Sequence, residues 1–241
     1  LRFTSIFFKN LKRGKMVKKS DTFKIPDEWS FNNPEVIEHF DRHVKESLPW
    51  YDLATGAVAQ IARCYVPKYG LVVDVGASTG NIGRALAGLL TARSAKLIPI
   101  ETSLEMSRAY DGPGDVVLAD IEDFNFNDGD KPDLIVCFLT LMFVSVKDRI
   151  GLIQRMKAAV SIGGAIIVVD KIVPHSGYAG TVNYRLTLAA KYEAGATPEE
   201  IIKKELSISG LQRPLSAVEL SGFVEFFRFG DFVGAVWEKP A

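Results

Sequence analysis

The chain has 241 residues, 47% hydrophobic and 24% charged, and its 29 basic and 29 acidic side chains leave a formal net charge of zero. This composition fits a globular protein with room for one α/β domain plus an appendage, and the neutral total excludes a globally basic surface for nucleic acid. No apolar run approaches the roughly 20 residues that span a bilayer, and Cys64 and Cys137, both in apolar contexts, read as buried reduced thiols of a cytoplasmic protein.

Along the chain, the first twenty residues carry Arg2, Lys9, Lys12, Arg13, Lys15, Lys18 and Lys19 and no acid. We read 1–28 as a basic, disordered tail, with Met16 a candidate first residue, and 29–241 as a single domain. Val36, Ile37, Phe40, Val44 and Leu48 recur at helical spacing after Asn33-Pro34, which predicts a helix over 35–48. His39 and His43 lie four apart on it, but the Glu of a metal-binding H-E-x-x-H is missing, so they read as a solvated face. A second helix is expected over 54–65, stopped by Pro67.

An alternating pattern follows: strands at 71–74, 95–100, 115–119, 133–138 and 164–170, and helices at 81–91, 103–110 and 145–160. Such βαβα order predicts a mostly parallel sheet with helices on both faces. The rhythm then breaks. Residues 179–209 read as helical, with Pro198-Glu199-Glu200 opening a further helix. Two apolar runs, 224–229 and 232–237, flank Gly230-Asp231 and predict a closing antiparallel hairpin.

The most informative stretch is Asp74-Val75-Gly76-Ala77-Ser78-Thr79-Gly80-Asn81-Ile82-Gly83. Strand, glycine loop and helix bring backbone N–H groups to a ligand. Dinucleotide sites place an apolar residue where Asp74 stands. An acid there suits a cationic ligand with an amino-acid tail, such as S-adenosylmethionine (SAM). Glu101 and Asp120 end the next two strands. Glu101 is placed to accept ribose hydroxyls, and Asp120 to accept from an adenine amino group while Ile121 packs on the ring. After the fourth strand, Cys137 to Leu141 lacks the polar-Pro-Pro-aromatic motif of amino-methylating DNA enzymes. No catalytic base is assignable; Tyr184, His175 and Lys171 are the candidates.

With these residues the chain resembles the class I SAM-dependent methyltransferases. It is most similar to the carboxy-SAM synthase and tRNA wobble-uridine (cmo5U34) methyltransferase-like group, over residues 29–239. Ser47-Leu48-Pro49-Trp50-Tyr51, the glycine loop, Phe138-Leu139-Thr140-Leu141-Met142-Phe143, Val169-Asp170-Lys171 and the 226–234 hairpin carry the resemblance. It implies a Rossmann-like fold with a mostly parallel seven-stranded sheet, a C-terminal antiparallel hairpin and N-terminal helices. It implies SAM as cofactor, held by Tyr51, Asp74, Gly76, Ser78, Gly80, Glu101, Asp120, Ile121 and Phe138, with Tyr51 reaching the SAM carboxylate.

The sequence departs from the group in two places. Glu205 takes the position of an arginine that grips the extra carboxylate in carboxy-SAM synthases, and an anion there repels a carboxylate. The stretch 216–223 is too short for the helix that relatives place before the hairpin, leaving a sheet face for a partner subunit or the N-terminal helices. The expected activity is therefore methyl transfer to a small-molecule or RNA acceptor, in a chain that forms a homodimer. The alternatives are a carboxy-SAM synthase, which consumes SAM and prephenate, a non-catalytic scaffold of the same fold and, more distantly, an NAD-dependent oxidoreductase.

Overall fold

A computed structural model describes residues 25–174 and 176–240. Among these residues seven helices and seven strands follow one another as α1 (Pro34–Ser47), α2 (Tyr51–Tyr65), β1 (Leu71–Val75), α3 (Asn81–Arg93), β2 (Lys96–Glu101), α4 (Leu104–Arg108), β3 (Val117–Leu118) and β4 (Leu134–Phe138). Then come α5 (Val146–Ala159), β5 (Ala165–Lys171), α6 (Tyr178–Glu193), α7 (Pro198–Ser207), β6 (Val224–Phe229) and β7 (Phe232–Glu238), with a single 3-10 turn at Leu141–Phe143. Most of the basic tail lies outside the described residues. Residues 25–28 do not behave as tail: Ile25 is buried and Asp27 pairs with Lys203 at 3.0 Å. Among the described residues no helix is long and apolar enough to cross a membrane.

The strands form one sheet in the order β3-β2-β1-β4-β5-β7-β6. All pairings are parallel except those of β7, which runs antiparallel to both β5 and β6. β1, β4 and β5 are buried at every position, which their unbroken apolar runs require of strands covered on both faces. One face packs Val72, Val136 and Ile167 against Ala54, Val58 and Ala62 of α2 and Leu86 and Leu90 of α3. The other packs Val73, Ile135 and Ile166 against Leu152, Ile153 and Met156 of α5. Each such fully buried aliphatic side chain contributes about 1.5–3 kcal/mol.

Local chemistry sets the element ends. Asn33 caps α1 by accepting the Glu35 N–H, with Pro34 at the first helical position. Thr197 and Glu200 form a capping box that starts α7 behind Pro198. β3 is shorter than its apolar run predicts: only Val117 and Leu118 pair, on Ile100 and Glu101. It is an outer edge whose two side chains face solvent, so burial does not hold a longer strand there. The stretch 216–223 holds turns and no helix. Cys137 is buried as expected, whereas Cys64 lies on the outer side of α2 and is exposed.

The chain steps from β1 to β2 to β3 and returns to place β4 on the other side of β1. The crevice beyond the carboxyl ends of β1 and β4 is the switch point of the sheet, where ligands of such folds bind. A third, small core lies over it. Trp29, Val36 and Ile208, with Phe31 and Phe40, hold the N-terminal segment and α1 to α7.

Candidate functional site

At the switch point the backbone turns sharply. Gly76, Ser78 and Gly80 all have left-handed φ angles, +72°, +51° and +100°. Gly76 and Ala77 donate their N–H groups to the Ile100 carbonyl, both at 2.9 Å, which ties the loop to β2. A Cβ on Gly76 would lie 2.5 Å from the Thr140 side chain, whose hydroxyl bonds the Val75 carbonyl at 2.8 Å. The glycine therefore lets the loop after β1 approach the loop after β4.

Glu101 does more than sequence alone indicates. One carboxylate oxygen accepts the Ser78 N–H at 2.8 Å, and the other accepts those of Thr102 at 3.0 Å and Ser103 at 2.9 Å. A carboxylate has about four acceptor positions, so roughly one remains for a ligand. The residue read as a ribose acceptor is thus also the stitch that shapes the glycine loop. Asp74 is the opposite case. It is buried inside β1, and its second oxygen has no hydrogen-bond partner. Burial, with Glu101 nearby, pushes its pKa up to about 7. A buried, under-bonded carboxyl beside a cavity is what a cationic ligand would complete.

Tyr51, Asp74, Gly76, Ser78, Glu101, Asp120, Ile121 and Phe138 all line one cavity of about 820 Å³. Tyr51 meets Phe138 edge to face, 5.3 Å between ring centres, and burial raises its hydroxyl pKa well above the ordinary value. Asp120 lies two residues past β3, where its side chain accepts the Glu122 N–H at 2.9 Å. Gly80 departs from the set: it does not line the cavity but packs on Tyr110 and Gly112, serving as the turn into α3.

The cavity continues past these residues to an end with a different character. Trp29, Phe31, Phe40 and Phe143 wall it, and Lys171, Lys191 and Lys204 enter it from β5, α6 and α7. Lys171 lies 3.2 Å from the Gln212 side chain and 3.6 Å from Asp231. Lys191 binds Glu205 at 2.7 Å, and Lys171 approaches the same carboxylate at 3.8 Å. Burial works against ionisation of Glu205, yet the neighbouring lysines hold its pKa below the ordinary value. Lys204 stacks on the Trp29 ring; burial, aided by Lys191 and opposed by Glu205, lowers its pKa to about 6.

His43 corrects the reading of a solvated helix face. It lines the cavity against Trp29, with ring centres 5.4 Å apart, and burial followed by the charges of Lys204 and Lys191 lowers its pKa to about 4. His39 bonds Arg42 on the surface. Of the three candidate bases, Lys171 faces the cavity, Tyr184 does not line it and His175 lies outside the described residues.

Two buried charges hold the floor. Arg149 is wholly buried and donates to the carbonyls of Val144 at 2.9 Å, Arg213 at 2.7 Å and Met142 at 3.2 Å. Asp170 accepts the N–H groups of Met142 at 3.2 Å and Lys171 at 2.8 Å. The roof is tied down by Ser103, which donates to the Phe31 carbonyl at 2.7 Å. Asp41 adds a second tie, taking Arg84 at 2.8 Å and the Thr79 hydroxyl at 2.5 Å. Sequence patterning gives no sign of Arg149 or Lys191, whose partners Arg213 and Glu205 lie 64 and 14 residues away; Lys204 is legible only as a basic residue beside Glu205 that could stand in for the absent arginine.

Comparison with known proteins agrees with this geometry. Residues 73–168 match the methyltransferase domain family model. The carboxy-S-adenosyl-L-methionine synthase of Wolinella succinogenes is 30% identical over 188 residues, 75% of this chain and 77% of that protein. The chain belongs to the class I SAM-dependent methyltransferases, close to the carboxy-SAM synthases. A second relative named carboxy-S-adenosyl-L-methionine synthase, from Staphylococcus epidermidis, is 29% identical over 89% of this chain and 98% of its own length.

Two solved structures share the methyltransferase fold at low identity. Human N-acetylserotonin methyltransferase in complex with SAM has a TM-score of 0.52 and 11% identity, covering 86% of this chain and 56% of its own. The plantazolicin methyltransferase BpumL in complex with SAH gives 0.51 and 13%, covering 86% and 90%. SAM is the cofactor of this chain by its membership of the SAM-dependent methyltransferases.

Proposed function

We propose that this enzyme transfers the SAM methyl group to a small acceptor bound in the same cavity, at the lysine-lined end. The observation that carries this reading is the continuity of one chamber of about 820 Å³ from Asp74 and Glu101 to Lys191 and Lys204. Its volume lies in the upper part of the range for small-molecule sites, with room for two ligands end to end. In this reading SAM takes the cofactor end, with its ammonium group against Asp74 and its adenosine between Glu101, Asp120 and Ile121. Tyr51 and the glycine loop hold the amino-acid tail, and Phe138 packs beneath it.

Bound SAM supplies an electrophilic methyl group on a sulfonium. The chain's own residues align the acceptor and exclude water: Trp29, Phe31 and Phe40 close the roof, while Arg149 and Asp170 fix the loop beneath. A walled chamber favours a small molecule over an RNA strand as acceptor.

A specific observation keeps carboxy-SAM synthesis as a second reading. The repulsion expected from Glu205 is removed by its pairing with Lys191 and Lys171, and Lys204 adds a further basic group. The relatives' names point the same way. Mass analysis of the nucleoside formed from SAM with and without prephenate separates the two. S-adenosylhomocysteine with a methylated acceptor supports methyl transfer, and a carboxylated SAM formed only with prephenate overturns it. Absence of heat with SAM and S-adenosylhomocysteine in calorimetry would reduce the chain to a scaffold.

A further inference from the structure

Residues 119–130 include Asp120 and Ile121, the groups read as the adenine pocket, yet the sheet grips this loop weakly. β3 pairs at two positions and is exposed at both, and just beyond it Ala119 donates one backbone bond to Glu101 at 3.0 Å. Past that point the loop folds largely on itself. The Asp120 carbonyl accepts the N–H groups of Asp123 and Phe124, both at 3.1 Å, and its carboxylate accepts that of Glu122. Phe126 is the apolar anchor, buried in the core on the α5 side of the sheet, and Phe124 meets it edge to face at 5.1 Å.

Arg155 of α5 ties the loop to the rest of the fold. Its Nη2 donates to the Ile121 carbonyl at 2.9 Å and its Nη1 to the Phe124 carbonyl at 3.3 Å. The guanidinium also lies over the Phe126 ring, 6.0 Å from the centroid. Among the described residues these are the two hydrogen bonds that reach 120–130 from another element. A rigid planar fork bridges two carbonyls three residues apart, which a compact ammonium cannot do. The turn fixed in this way is the one that carries Asp120 and Ile121 into the cavity.

We propose that Arg155 is a positioning residue for base recognition: it holds 120–124 so that Asp120 faces the 6-amino group of adenine. The inference rests on the adenosine placement given above and concerns which nucleoside the cavity accepts. Arg155 is exposed and does not line the cavity, so it acts through the loop. Its loss loosens the loop and leaves the core intact. A loose loop must be ordered by the ligand on binding, which costs affinity. A carboxylate free to swing aside also discriminates poorly between a base that donates and one that accepts.

Calorimetry of the full chain with S-adenosylhomocysteine and with its inosine analogue, whose 6-oxygen accepts where adenine donates, tests this role. The wild type is expected to prefer the adenine form by about tenfold or more. Arg155→Met is expected to bind the adenine form about tenfold more weakly, and the two forms within roughly threefold of each other. Arg155→Lys, whose single ammonium reaches one carbonyl, is expected to recover part of the preference. Amide exchange over 120–126 should speed about tenfold in Arg155→Met while β4 and β5 stay protected. A wild-type preference retained in Arg155→Met overturns the proposal even where exchange rises, because the residue is then a tie of the fold alone. A wild type without preference, or one whose preference survives Asp120→Ala, removes the adenine placement and the proposal with it.

Discussion

Asp74 was legible in the sequence as an acid at the end of an apolar run, but its protonation was not, because that depends on what buries it. Its folded pKa of about 7 lies above the ordinary carboxyl value near 4. The folded state therefore holds a proton that the unfolded chain has lost across that window. Stability from this group is full below about pH 4 and is lost as pH rises through about 7. Asp74→Asn is expected to melt higher than wild type at pH 8 and equally at pH 4, the gain being on the order of 4 kcal/mol. Its SAM affinity is expected to fall about tenfold or more at pH 8, measured by calorimetry, because a cation loses its counter-charge. Unchanged affinity would remove Asp74 from the cofactor site. Glu101→Gln should act through the backbone: the amide nitrogen faces an N–H donor, leaving at least one of the three part-buried or buried bonds unmade at a cost of about 1–3 kcal/mol. Chemical denaturation measures it, and a neutral result would mean that the stitch does not shape the loop.

Among the elements, the sequence pointed clearly to β1, β4, β5 and the terminal hairpin, since continuous apolar runs between glycine or acidic punctuation leave few alternatives. Less legible were β3, whose apolar run pairs at only two positions, and α1, whose His43 side faces the cavity and not solvent. α1 is joined to the glycine loop through Asp41, Thr79 and Arg84. Asp41→Ala is expected to speed amide exchange across residues 34–47 by about tenfold while β1 and β4 stay protected, since only a local opening is made easier. Exchange rising equally in β1 would show a global effect and defeat the reading of Asp41 as a tie that holds the roof. Gly76→Ala combines a left-handed φ with a Cβ 2.5 Å from Thr140, and no single adjustment relieves both. Loss of SAM heat with the fold retained is expected for it.

For the whole molecule, two buried acids and two half-buried bases pull stability in opposite directions with pH. Asp74 and Asp170 are raised to about 7 by burial, the latter against hydrogen bonds from Lys171 and Met142. His43 is lowered to about 4 and Lys204 to about 6. Between about pH 4.5 and 6.5 the folded state keeps the two acid protons and lacks the one on His43, so stability falls as pH rises. Above about pH 7 the unfolded chain still holds the Lys204 proton, so stability climbs again toward pH 10. Ligand-free protein should therefore show a minimum near neutrality in urea denaturation, and Lys204→Met should abolish the climb above it. A profile rising steadily from pH 5 to 9 would contradict these assignments.

The sequence by itself determined the alternation of strands and helices, the glycine turn and the acids that follow successive strands, because these depend on local periodicity and on φ angles that few residues adopt. Only the tertiary structure decided that Lys171, Lys191, Lys204, His43 and Trp29 share one chamber, that Glu205 is neutralised by its neighbours and that Arg155 reaches the loop after β3. Those facts belong to pairs of residues brought together by the sheet, and charge and burial act through distance in space, which spacing along the chain does not encode.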